Sequence, residues 1–279
     1  MTKPAIAITG ATGALGGRIA RRLAERGVPT RLIARDTSRA PGLPLSEAVT
    51  AAYLDRPAMV KALEGIDTVF FVSGFEAEDR LRHHRSAVDA FLEAGVKKVV
   101  YTSFLNAAPD STFTFARHHY HTEKYLEEAG LQFVALRNSL YMDLLPHFVK
   151  DGVILGPAGE GKFAPVCRDD IADVAAALLL DKEHPAGRCD LTGPELLTMT
   201  EVAEHLARAG GEPVKFVDET LEEAYASRAQ LGATDFAVEG WVTSYYAIAL
   251  GEMEVLSDTV ERIAGHPPIS FKNFLGQET

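Results

Sequence analysis

The sequence predicts an α/β chain: a doubly wound parallel sheet with a smaller, more helical C-terminal α/β portion. Three observations predict it. Apolar runs alternate with amphipathic segments through the first half. Most of those runs are continuously apolar, as strands covered on both faces must be. Each amphipathic segment stops at a glycine suited to a helix C-terminus, at positions 27, 65, 95 and 130.

Taken in order, AIAIT (5–9) is the first strand, and a helical pattern over 15–26 follows it. TRLIA (30–34) is the second strand, and AVTAAY (48–53) reads as a weaker third. A helix over 57–64 leads to DTVFFV (67–72), then a helix over 78–94 leads to KVVYT (98–102). A helical segment near 113–129 precedes the strand FVALR (133–137). Right-handed crossovers in such a series place helices on both faces of one sheet.

After Arg137 the rhythm breaks. LRNSLYMDLLPHF and DGVILGPAGEGKFAPV read as loop-rich, and helices follow near 169–181, 200–209, 218–230, 234–250 and 257–264. RCDLT and VKFVD read as short strands, and Asp169 or Asp170 is expected to cap the 169–181 helix. The basic run DRLRHHRS (79–86) reads as a solvated helix face.

Composition narrows the function classes. The 279 residues are 47% hydrophobic and 24% charged, ordinary for a globular protein. A net charge of −11 argues against nucleic acid, whose phosphates need a basic face. No apolar run reaches the roughly 18 residues a membrane helix needs. MTKPAIAITG has a short strand-like run rather than a secretory h-region, and two cysteines, Cys167 and Cys189, suit a reducing compartment. The cytoplasm is the expected location, as a monomer or homodimer.

The motif with chemistry lies at the first crossover. In TGATGALGG, Gly10, Gly13 and Gly16 follow a strand and open a helix. Glycines there let the turn close and let backbone N–H groups approach a pyrophosphate, which the helix N-terminus attracts. The candidate cradle is Gly10, Thr12, Gly13, Ala14, Leu15 and Gly16. The second strand ends in Arg35, whose guanidinium suits a ribose 2′-phosphate. Asp36 follows and is the alternative, accepting from a 2′-hydroxyl. NADP(H) is favoured, with NAD(H) left open.

TGATGALG, IARD, FFVSG, AGVKKVVYTS, HTEKYL, LRNSLYMD, LTGPELLTMTEVAEHL and IAGHP together resemble the NmrA-like atypical short-chain dehydrogenase/reductases. The nearest branch is that of the type 2 NAD(P)H:quinone oxidoreductases and triphenylmethane reductases. The resemblance implies a Rossmann NAD(P)-binding domain over 1–140, its sheet completed by later segments. It also implies an interleaved substrate-binding portion over 141–279, with a cleft between. Ser73 and Gly74 would then pass along the cofactor's sugar and phosphates. Thr102 and Ser103, with Asn138 to Tyr141, would surround nicotinamide and substrate, Asn138 and Tyr141 being the substrate candidates. Relatives commonly carry ADY near the third strand, where this chain has AAY, with Ala52 in place of the acid.

Two catalytic readings stand side by side. Tyr120 and Lys124 match the Tyr-x-x-x-Lys pair of short-chain dehydrogenases, in which the ammonium lowers the tyrosine's pKa from about 10, and Ser103 would be the third member. In the quinone reductase branch the Tyr120 position is usually apolar and a histidine stands one place earlier, here His119. Hydride transfer to a flat conjugated acceptor depends mainly on stacking, and its proton can come from water or a histidine. The expected activity is NADPH-dependent reduction of a quinone, azo or dye-like small molecule. The alternative is an NADP(H)-sensing regulator without turnover. No metal-ligand spacing is present, so no metal is expected.

Overall fold

The computed structural model describes residues 4–181 and 183–276. Contacts divide the chain into two compact units: Met1–Ser103, Tyr120–Arg137 and Arg168–Cys189 form one, and Phe104–His119, Asn138–Cys167 and Asp190–Thr279 the other.

The first unit is built on a seven-stranded sheet. Its strands are β1 (Ile6–Thr9), β2 (Thr30–Ala34), β3 (Ser46–Thr50), β4 (Thr68–Phe71), β5 (Lys98–Phe104) and β6 (Gln132–Asn138), completed by β8 (Gly187–Leu191). The order is β3-β2-β1-β4-β5-β6-β8. β1 pairs in parallel with β2 and β4, β2 with β3, and β4 with β5. The order therefore reverses at β1, and the crevice beyond the strand ends there is where α/β sheets bind ligands.

The helices of this unit are α1 (Ala14–Glu25), α2 (Arg56–Ala62), α3 (Arg80–Glu93), α4 (Thr114–Glu128), which continues into the other unit, and α5 (Arg168–Leu180). Side chains alternate across a strand. One set, Ala7, Ile33, Val69, Phe71, Val99 and Tyr101, packs with Met59 of α2, Phe91 of α3 and Leu126 of α4. The alternate residues Ile8, Leu32, Phe70 and Val100 are equally buried, so both faces are covered. That is why the strands read as unbroken apolar runs. α1 and α5 are clasped by Arg22 on Asp169 and Asp173 at 2.8 and 2.7 Å, with Arg18 on Asp169 at 3.2 Å.

The second unit holds the strand pair β7 (Val153–Gly156) and β9 (Lys215–Asp218), parallel in register from Val153 opposite Lys215. Its helices are α6 (Met199–Gly210), α7 (Leu221–Ala229), α8 (Asp235–Ala249), α9 (Thr259–Ala264) and α10 (Phe271–Gly276), after a 3₁₀ stretch at Met142–Phe148. Thr198 with Glu201, and Thr220 with Glu223, form complete capping boxes at α6 and α7. Phe115, Met142, Ile154, Phe163, Val202, Tyr245, Ile248 and Phe271 belong to its core.

Four sequence expectations are corrected. DGVILG is not all loop: Val153–Gly156 is β7, too short between Gly152 and Gly156 for its period to show. β3 lies at 46–50 rather than 48–53, because an edge strand with mostly exposed side chains carries no apolar signal. Asp169 and Asp170 sit inside the first turn of α5 rather than capping it. DRLRHHRS is only half solvated: Arg80 and His84 are 2% and 1% exposed.

Candidate functional site

The first unit's candidate site begins where β1 ends. Gly10 takes φ +61°, a left-handed conformation that favours glycine, and the Gly13 N–H donates to its carbonyl at 2.9 Å. A Cβ on Gly16 would stand 2.5 Å from the Gly10 carbonyl oxygen, so α1 can lie this close to the turn only with glycine there. Gly13 is the N-cap of α1 and brings no capping side chain, and the first turn holds no acidic residue. The first amides of a helix lack intrahelical acceptors. Gly13 and Ala14 are exposed and Thr12 half-buried, whereas Leu15 and Gly16 are buried and serve as the wall. The result is a run of main-chain amides of the kind that suits an anion.

A hydroxyl network fixes the neighbouring strand ends. The Tyr53 hydroxyl donates to the Val72 carbonyl at 2.5 Å and lies 2.7 Å from Thr9 Oγ1, which accepts from the Val72 N–H at 3.0 Å. Burial pushes the Tyr53 phenol well above its ordinary pKa, so it stays a neutral hydrogen-bonding group. AAY thus keeps a structural tyrosine beside an alanine that offers no polar contact.

Arg35 stands exposed at the end of β2, with no carboxylate partner among the described residues. Asp36 is engaged elsewhere: its carboxylate accepts from the Ser38 amide at 3.0 Å and hydroxyl at 2.6 Å, capping a short turn. Those bonds hold its carboxyl below the usual range. The geometry therefore favours the cationic reading of this strand end.

Ser73 and Gly74 follow β4, half-buried. The Gly74 N–H donates to His84 Nε2 at 2.8 Å. Nε2 being an acceptor, the ring's hydrogen is on Nδ1, which donates to Thr122 Oγ1 at 2.8 Å. Phe71, Tyr101 and Tyr53 surround the imidazole edge-on. The one signal that could have found His84 is spacing: 80, 84, 87, 88 and 91 share one stripe of α3, and three of them, Ala87, Val88 and Phe91, are core positions.

The dehydrogenase-like trio is not assembled. The Ser103 hydroxyl donates to buried Glu123 at 2.5 Å. Glu123 also accepts from Arg137 at 2.9 and 2.7 Å and from Arg188 at 2.7 Å. Lys124 ion-pairs with Glu127 at 2.7 Å on the helix surface, which raises its pKa. Tyr120 is half-buried, edge-on to His121. Thr102, the residue before Ser103, has a buried Oγ1 without a hydrogen-bond partner among the described residues.

In the second unit, His119 is buried with its ring 6.3 Å from that of Phe104. Asn138, fully buried, donates from Nδ2 to the Tyr141 hydroxyl at 3.2 Å. Its Oδ1 and the hydroxyl of Ser139 lack hydrogen-bond partners among the described residues. An orphaned buried acceptor is costly unless a ligand or water completes it. No group of three or more His, Cys, Asp or Glu that could hold a metal occurs among the described residues.

Comparison with known proteins gives the family. A model of the NmrA-like family matches residues 2–265. Quinone oxidoreductase 2 of Escherichia coli is 31% identical, covering 94% of each chain. A crystal structure of NADPH-dependent quinone oxidoreductase from that organism, complexed with NADPH, matches with a TM-score of 0.89 and 29% identity over 98% of this chain and 99% of that one. The NAD(P)H azoreductase of Xenophilus azovorans is 30% identical over 96% of each chain. The structure of Citrobacter sp. triphenylmethane reductase with NADP(H) gives a TM-score of 0.84 at 27% identity, over 99% of this chain and all of that one.

Proposed function

The chain belongs to the NmrA-like family, and on that premise we propose that it is an NADPH-dependent oxidoreductase reducing a small conjugated acceptor, such as a quinone, an azo compound or a triphenylmethane dye. One observation carries the reading: an uncapped helix N-terminus behind a glycine turn, and an exposed Arg35 that has no carboxylate partner among the described residues. NADPH, when bound, supplies the hydride. The amides at Gly13 and Ala14 hold the diphosphate, with Gly10 and Gly16 keeping the turn close enough for them to do so. Arg35 holds the 2′-phosphate, and Ser73 and Gly74 flank the cofactor's sugar. The Thr102 hydroxyl, buried without a hydrogen-bond partner among the described residues, is a further polar contact for the cofactor.

On the acceptor side, Asn138 and Tyr141 supply polar contacts, the free Oδ1 of Asn138 being the group a ligand would complete. With Ser103 committed to Glu123 and Lys124 to Glu127, Tyr120 has no assembled proton-relay partners. The proton comes from water or from His119. The reading includes a cytoplasmic location and no nucleic-acid partner; no described helix is long and apolar enough to cross a membrane.

The test is to mix the protein with NADPH and, separately, a menadione-type quinone, an azo dye and a triphenylmethane dye, and to follow the nicotinamide absorbance. Oxidation above background with at least one acceptor is expected. Saturable NADPH binding without oxidation of any of them would leave a sensor rather than an enzyme.

A further inference from the structure

Phe75 is the most exposed large apolar residue among the described ones, at 80%. It stands directly after Ser73 and Gly74, in the loop following β4, and β4 and β2 flank β1 in the sheet. Its ring carries the Arg35 guanidinium, whose central carbon lies 5.6 Å from the ring centroid. Among the described residues Arg35 has no carboxylate partner: its neighbour Asp36 is occupied by Ser38, and the AAY stretch provides no acid.

The kind of seat matters. A carboxylate holds a guanidinium through its in-plane N–H groups and so consumes the donors an anion would need. An aromatic ring offers no carboxylate oxygen and leaves the in-plane N–H donors available to an anion. Arg35 over the Phe75 ring is therefore placed yet unspent, the state suited to a bidentate grip on a phosphate. Part of the loss of side-chain freedom is then incurred before the anion arrives.

We propose that Phe75 is a specificity-determining residue: by seating Arg35 over its ring, it sets the preference for a dinucleotide bearing a 2′-phosphate over one bearing a 2′-hydroxyl. The assignment rests on the NADPH reading above. It differs from simple stacking of Phe75 on the adenine, which would serve NADPH and NADH alike.

The experiment measures Kd for NADPH and for NADH, at one ionic strength, for the wild type and for Phe75→Ala, Phe75→Trp and Arg35→Ala. Phe75 is exposed, so these variants should fold; melting temperatures check it. Phe75→Ala should weaken NADPH by about two- to five-fold, the worth of an exposed cation–π seat, and leave NADH unchanged. Phe75→Trp should keep the wild-type ratio. Arg35→Ala should remove most of the preference by itself. If Phe75→Ala weakens both dinucleotides equally, or neither, while Arg35→Ala still abolishes the preference, the assignment to Phe75 falls and the NADPH reading stands. A wild type that binds NADH as well as NADPH overturns both.

Discussion

At the scale of single residues, what decides a role is what a side chain already holds. Tyr120, Lys124 and Ser103 have the spacing of a dehydrogenase trio, but Lys124 is spent on Glu127 and Ser103 on Glu123. Tyr120→Phe should therefore keep turnover within about two-fold, since no transition-state contact is lost; steady-state kinetics with NADPH and a quinone measure it. A fall of a hundred-fold or more, in the range of lost acid–base catalysis, would restore the tyrosine's role. Glu123 is the opposite case, a buried carboxylate on which Arg137, Arg188 and Ser103 converge. Glu123→Ala removes the buried carboxylate that Arg137, Arg188 and Ser103 share and should cost about 3 kcal/mol of stability, toward the lower end for a broken buried pair because Arg188 is partly exposed and keeps Glu127. Urea unfolding of the variant gives the figure. None of this was visible in HTEK, because spacing gives the face of a helix and not the partner opposite.

At the scale of elements, the sequence disclosed most where burial is two-sided. β1, β2, β4, β5 and β6 and the helices between them were legible to within a few residues, since continuous apolar runs and terminal glycines leave little choice. β3, an exposed edge, was legible only as a weaker strand displaced by two to three residues, and β7, four residues long, was read as loop. The burial of Arg80 and His84 was hidden because charged letters read as solvent-facing until aromatic neighbours close over them. His84 ties α3 to the loop after β4 and to α4, so His84→Phe, which keeps the ring and loses both hydrogen bonds, should raise the KM for NADPH more than it lowers kcat. Parallel changes in both, with only a lowered melting temperature, would reduce it to packing. The α1–α5 clasp makes a pH prediction. Burial opposes ionisation of Asp169, but Arg22 and Arg18 outweigh it and hold its pKa below the ordinary value. Its contribution is therefore present above pH about 4 and lost as pH falls through the lowered folded value. Asp169→Asn should lower stability at neutral pH and flatten this acid-side loss in thermal melts. The effect is below about 1 kcal/mol, because the carboxylate is partly exposed.

At the scale of the whole molecule, the glycine turn and Arg35 were readable in the sequence because main-chain geometry and a strand-end charge are local facts. The seat under Arg35 and the orphaned Oδ1 of Asn138 were not, since both depend on residues brought together by the fold. The proposed function stands on the main-chain turn at Gly10–Gly16 as an anion cradle and on Arg35, which no carboxylate among the described residues holds, and the measurement that tests it most directly is a calorimetric titration of the full chain with NADPH and with NADH under matched conditions. It predicts saturable binding of one dinucleotide per chain, NADPH tighter by about ten-fold or more, which is about 1.4 kcal/mol for the 2′-phosphate contact. Failure of either dinucleotide to bind, or NADH binding as tightly as NADPH, would contradict it.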